Sequence, residues 1–443
     1  MYVGQLHGAA SIKISFNARL ELLLMRVELL LRNNQNTHSG NIATSKGRKA
    51  VGEMKDMMGA LMATPSSSQA SVSATLDDHV LMALPKRSLL TRTLQRKRQK
   101  IMKEANNGQA LPAVPSDLSF AIPDQFREMV LYDSGPGDDR IIMMCCPELL
   151  DGLARADVWI ADGTFKVVPS IFFQLYSFHF NFACGINPAG LYCLLTNKTA
   201  ATYGRVLAEI HNLVPLASPK TILIDFEKAV MNVLSASYPS ARVTGCYFHL
   251  CQSVVRKVNE LGLKVDYESN DEVRGYVRCL SALAFVPPDD VEEAFELLAE
   301  TMPVNIEHLD ELTSFFELTD VRGRPGRGRA AVYAAAKFPI PTWNQYAGGS
   351  EGIARTTNSV EGWHHGLQTL FLCSHPTVWT FLTGLQRDMQ LQKSNFLQGA
   401  TGTVHPSRKT YRKLNDRVLA AVAAYGRTDI LTYIRAISHL SHH

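Results

Sequence analysis

Asp157-Val158-Trp159-Ile160-Ala161-Asp162-Gly163-Thr164 and Thr221-Ile222-Leu223-Ile224-Asp225-Phe226-Glu227 share one pattern. Each is a short apolar run, rich in β-branched or aromatic side chains, that reaches an aspartate and then a turn or a helix start. Runs of this length and composition predict buried strands. Working outward, 171–182 (Ile-Phe-Phe-Gln-Leu-Tyr-Ser-Phe-His-Phe-Asn-Phe) and 190–197 predict two more strands that follow 157–162 as an antiparallel meander. Helical periodicity covers 200–214, a helix follows the second aspartate at 227–237, a strand is expected at 241–247, and a helix runs from His249 to about Gly262.

This β-β-β-α-β-α-β-α order is that of an RNase H-like fold, a mixed α/β sheet flanked by helices. Around it, the sequence predicts a helical or low-complexity N-terminal region over 1–110 and the first part of the core over 111–262. A helical insertion over 263–335 ends in a Gly/Arg loop. The core closes over 336–395, and 396–443 is a helical tail. Within 1–110 the reading gives a Leu-rich helix near 18–32, a polar break from Asn33 to Lys49 and a Ser-rich linker at 64–75, with no second core.

Composition bounds the function. The 443 residues are 46% hydrophobic and 19% charged, with a net charge of +4, as expected of a globular chain rather than a disordered one. Eight cysteines, none in a Cys-x2-Cys pair, read as reduced thiols rather than a disulfide framework. The apolar stretch Leu20–Leu31 is broken by Glu21, Arg26 and Glu28, so it predicts an amphipathic helix and no membrane anchor. No signal-peptide pattern opens the chain, and an intracellular, nuclear location is expected.

Positive charge is densest at 85–103, where Arg92, Arg96, Lys97, Arg98 and Lys100 meet no acid before Glu104. Apolar residues at 90, 94 and 101 lie on one helical stripe. Such a segment suits a phosphate-contacting helix or a nuclear-import signal, against the plainer alternative of a solvated helix. A second basic element, Val321-Arg322-Gly323-Arg324-Pro325-Gly326-Arg327-Gly328-Arg329, has a Gly-Arg-Pro core between arginines like a minor-groove AT-hook, with a DNA-facing loop without A·T preference and a surface loop of ordinary composition as alternatives.

Asp162 and Asp225 end predicted neighbouring strands, so their carboxylates can meet at one sheet edge. Crowded anions raise each other's pKa or recruit a cation, and oxygen donors select hard divalent ions, Mg²⁺ or Mn²⁺. A third carboxylate on a helix packed against the sheet would complete a site for in-line attack on a phosphodiester. The bland alternatives are specific too. Strand-terminal aspartates commonly start turns or cap helices, and Asn358-Ser359-Val360-Glu361 has capping-box spacing.

Five phrases add a resemblance: Ala161-Asp162-Gly163-Thr164-Phe165-Lys166, Ile224-Asp225-Phe226-Glu227-Lys228-Ala229, Cys246-Tyr247-Phe248-His249, Phe338-Pro339-Ile340-Pro341-Thr342-Trp343-Asn344 and Thr357-Asn358-Ser359-Val360-Glu361-Gly362-Trp363-His364. In this order they resemble Mutator-like (MULE) transposase domains, well over about 110–395 and more loosely from about 50. The resemblance implies an RNase H-like fold with a helical insertion before the last acid. It also implies a metal-binding catalytic triad of Asp162, Asp225 and Glu361, with Cys246, His249 and His364 close by. Double-stranded DNA is the implied partner, with transposon terminal inverted repeats as its specific site and room for a homo-oligomer.

Zinc is not expected, because Cys246 and His249 have only Cys251 near them, at a spacing no familiar module uses. Metazoan relatives often carry a FLYWCH-type finger before the linker, and only its polar tail is visible around Asn36-Thr37-His38. That departure keeps open a host-adopted, catalytically silent DNA-binding or regulatory protein beside the transposase reading, with an RNase H-like nuclease as a third.

Overall fold

The computed structural model describes residues 42–59, 64–105, 111–182, 186–324, 333–351, 356–371, 373–402 and 409–440. The predicted 18–32 helix and the Asn36–His38 stretch lie outside these residues. The chain falls into two compact units, 1–110 and 111–443.

In the first unit the expectation of no core fails. Helices Ile42–Met57, Pro65–Ser73, Asp78–Ala83 and Arg87–Ala105 enclose Ala50, Met54, Met58, Val72, Leu90 and Leu94. The supposed Ser-rich linker is the second of these helices. Thr64 caps it, with its side chain accepting from Ser67 N–H and the Ser67 hydroxyl accepting from Thr64 N–H. Polar composition concealed the helix because its serines serve the cap and the surface. The basic helix keeps its predicted stripe, with Leu90 and Leu94 buried and Ile101 packed beside them.

The second unit is built on a seven-stranded mixed sheet in the order β1-β2-β5-β4-β3-β6-β7. These strands are β1 Val130–Asp133, β2 Ile141–Met144, β3 Val158–Thr164, β4 Gln174–Phe180, β5 Ala189–Leu195, β6 Thr221–Ile224 and β7 Arg242–Gly245. From β1 to β3 the neighbours are antiparallel, while β3/β6 and β6/β7 are parallel. The three-strand meander and the two later strands stand where the sequence put them, and two short strands extend the sheet. Every residue of β4 and β5 is buried, including Gln174, Ser177 and His179 of β4, so both strands are covered on both faces.

Alternation along β3 sets the site. Trp159 and Ala161 join the main core with Ile222 and Ile224 of β6. Ile160 and Leu223, paired in register across β3 and β6, face the other way and receive Val360 of helix Asn358–Phe371. Asp162 and Asp225 lie two residues beyond that pair, on the same face.

Residues 271–321 are largely helical, and Trp343 closes on them by donating its indole N–H to Asp320 O at 2.6 Å. Among the described residues no helix is long and apolar enough to cross a membrane.

Candidate active site

Asp162 sits inside β3, buried, with one carboxylate oxygen accepting the Gly163 N–H at 2.7 Å. Gly163 leaves room for Gln174, since a Cβ there would stand 2.8 Å from Gln174 Oε1 and the amide would have to move. Burial and then the charge of the neighbouring Asp225 push the Asp162 carboxyl up to about 8. The two aspartates line one cavity, each two residues beyond the paired Ile160 and Leu223.

His249 comes from the first turn of helix Tyr247–Glu260, directly after β7. Its Nδ1 lies 2.8 Å from Asp225 Oδ1 and its Nε2 lies 3.4 Å from Glu361 Oε1. Burial alone would lower its pKa. The Asp225 and Cys246 contacts outweigh burial and raise it to about 10, so the ring is an imidazolium between two carboxylates at neutral pH.

Glu361 lies in the first turn of helix Asn358–Phe371, and its carboxyl is raised by burial against the lowering charge of His249. Asn358 is inside this helix rather than preceding it, and the Glu361 carboxylate faces His249, so the capping-box alternative does not describe this turn. One turn on, His364 Nδ1 stands 3.5 Å from Asp162 Oδ2. Burial lowers His364 to about 4, so this is a polar contact of a neutral ring and not an ion pair at pH 7.

Cys246 has a positioning part in the structure. Its buried sulfur accepts from Thr357 N–H at 3.2 Å and from the Thr357 hydroxyl at 3.3 Å, fixing the residue that leads into the Glu361 helix. The structure therefore gathers Asp162, Asp225, Glu361, Cys246, His249 and His364 in one place.

The donors suit a hard divalent ion. Asp162 carries the raised pKa of a crowded carboxylate, and Asp225 Oδ1 has no hydrogen bond, only the charge contact to His249. As the side chains stand, no three His, Cys, Asp or Glu among the described residues form a closed metal cluster. Asp162, Asp225 and Glu361 are the carboxylates that would hold such an ion.

Asp162 and Asp225, but not Glu361, open onto a cavity of about 720 Å³ whose lining includes Lys198, Arg256, Lys257 and Lys337 along with Glu227, Glu260 and Asp320. Sequence reasoning missed the four basic residues, which are scattered through turns and one helix face and make no charge run. The basic residues it chose fare differently. Arg92, Arg96 and Lys100 are exposed on helix Arg87–Ala105, Lys97 and Arg98 are half-buried there, and Lys100 approaches Glu104 at 3.7 Å.

Arg322 is no free loop arginine. It pairs with Glu317 at 2.8 Å and Glu296 at 2.7 Å and covers the Tyr333 ring, leaving its side chain 16% exposed. Of these acids Glu317 is near in sequence and Glu296 comes close only after folding. Arg324 is exposed, while Arg327 and Arg329 fall outside the described residues.

Residues 158–253 match the MULE transposase domain family. The match begins at the first residue of β3 and ends within the His249 helix, so it contains Asp162, Asp225, Cys246 and His249, while Glu361 lies beyond it. Over that segment the chain is similar to transposases, and DNA is the partner class this implies. None of the curated proteins matches the chain.

Proposed function

We propose that the chain is a Mutator-like DNA transposase, RNase H-like in fold, with Asp162, Asp225 and Glu361 as its acidic triad. The carrying observation is that Asp162 and Asp225 follow two residues after the paired Ile160 and Leu223, against which Val360 docks, and that Asp225 and Glu361 both approach His249. The family match over 158–253 supports the same reading.

In this reading a water oxygen bonds to phosphorus as the P–O3′ bond breaks, freeing a DNA 3′-hydroxyl. That hydroxyl then attacks a phosphodiester of a second DNA, displacing its 3′ oxygen and joining the strands. Asp162, Asp225 and Glu361 would hold divalent ions, Mg²⁺ or Mn²⁺, which supply charge stabilisation for the entering and leaving oxygens. His249 keeps Asp225 and Glu361 in place through its two ring nitrogens. Lys198, Arg256 and Lys337 supply positive potential toward the phosphates at the cavity wall, while Lys257 is paired with Glu260 at 2.8 Å.

The test incubates the purified chain with Mg²⁺ or Mn²⁺ and DNA bearing candidate terminal inverted repeats, scoring cleaved and joined products. Asp162→Asn, Asp225→Asn and Glu361→Gln should each abolish both products while DNA binding persists. Cleavage without joining would favour a nuclease, and binding without either product a silent regulatory descendant.

A further inference from the structure

Phe165 and Phe173 are large apolar side chains left 43% and 44% exposed, three residues after Asp162 and one before β4. They pack edge to face with ring centroids 5.4 Å apart at the base of the β3–β4 connection. Phe165 also lines the cavity that holds Asp162 and Asp225 together with Lys198 and Lys337.

This connection is braced. His375 N–H donates to Lys166 O at 2.9 Å, the His375 ring nitrogen Nδ1 bonds Val168 O at 3.0 Å, and Phe173 N–H donates to Leu195 O at 2.8 Å. Val167, Val168 and Phe172 of the same connection are buried. The segment thus has an apolar anchor of its own and still presents two rings to solvent, at a cost in exposed apolar surface that folding alone does not require.

We propose that the Phe165–Phe173 pair is a stacking platform for unpaired nucleotides of a DNA strand entering the site. The inference rests on the DNA-processing reading and adds a substrate form, a locally melted or splayed end. Bases paired inside a duplex have no free face to offer, whereas an unpaired base can lie on an aromatic ring while its phosphates meet the lysines of the cavity. Aromatic rings beside cations match both halves of a nucleotide, and charge alone would not call for the rings.

The test measures binding of the full chain, in EDTA and at one fixed salt concentration, to two labelled DNAs of one sequence. One is fully paired, and the other has a few splayed nucleotides at its end. The wild type should prefer the splayed end. Phe165→Ala with Phe173→Ala should reduce that preference by roughly 5- to 100-fold, with affinity for the paired DNA little changed. Phe165→Leu with Phe173→Leu keeps apolar volume for folding and removes the ring faces, so it should lose the preference as well.

Equal binding of both DNAs by the wild type, retention of the preference by the Leu pair, or equal losses on both DNAs would overturn the platform. Failure of the wild type to bind any DNA would instead remove the transposase reading beneath it.

Discussion

Trp363 Nε1 donates to Asp388 Oδ2 at 2.9 Å, and the Tyr192 hydroxyl donates to the same oxygen at 2.7 Å. This buried carboxylate, on helix Val378–Ala400, ties the Glu361 helix to β5 across the sheet face that carries Asp162. Gln392 supplies a third donor, to Oδ1 at 3.2 Å. Burial raises the Asp388 pKa, while these three donors favour its anion.

Asp388→Ala should leave the Trp363 and Tyr192 donors without their acceptor, at about 1–3 kcal/mol for each group that stays buried and unsatisfied. Asp388→Asn keeps an oxygen acceptor and should cost less. Thermal unfolding of the two variants is the check, and an Ala variant that melts with the wild type would show that the clamp contributes nothing to holding the helix.

Stability should fall as pH rises across the active site's titrations. Asp162 is raised to about 8 in the folded chain, above the ~3.9 of a free aspartate, so its favourable protonation is fully present below that lower value and lost through pH 8. His249 is raised to about 10 from ~6.5, and its contribution is complete below the lower value and lost as pH passes the upper. Asp162→Asn should therefore melt above the wild type at pH 8–9 and close to it at pH 4. A constant difference between the two across that range would separate the stability effect from Asp162 ionisation.

The parts of this site that are local in the sequence were legible, and the parts made by distant contacts were not. Both aspartates announce themselves as carboxylates after an apolar run, although only Asp225 follows the end of its strand: β3 runs on through Asp162 to Thr164, because Gly163 and Thr164 still pair with β4. The short strands Val130–Asp133 and Ile141–Met144 were not legible, for neither shows the alternation of apolar and polar residues that marks a strand. His249 is visible as half of a Cys-x2-His phrase, yet its place between Asp225 and Glu361 depends on a helix more than 100 positions later. The ion pairing of Arg322 was hidden for the same reason, since Glu296 lies on another helix. Asp388 carried no signal at all, because its donors Tyr192 and Trp363 are remote in sequence.

Divalent ions should stabilise the fold as well as support chemistry. A ligand bound only to the native state at 100 times its Kd adds about 2.7 kcal/mol. Saturating Mg²⁺ or Mn²⁺ should thus raise the melting temperature of the wild type by several degrees and leave Asp162→Asn and Asp225→Asn unmoved. Elemental analysis of the same wild-type preparation should find no stoichiometric zinc, because the Cys246 sulfur is engaged by Thr357. A melting temperature indifferent to both ions would count against the acids as metal ligands, and one zinc per chain would reassign Cys246 and His249.

Salt dependence separates the two basic elements that the sequence offered as DNA contacts. Each phosphate neutralised by a lysine or arginine contributes about 0.9 to the slope of log affinity against log salt on duplex DNA. Replacing Arg96, Lys97 and Arg98 with glutamine should flatten that slope, since Arg96 is exposed and all three lie on the basic helix Arg87–Ala105. Arg322→Gln should behave in the opposite way. Its guanidinium is held by Glu317 and Glu296, so its loss leaves those acids facing each other without their cation and should lower the melting temperature while leaving the slope unchanged. Slopes measured side by side for the two variants decide the matter. A flattened slope for Arg322→Gln would mean that DNA draws this arginine away from its acids, and an unchanged slope for the triple variant would remove the basic helix from the interface.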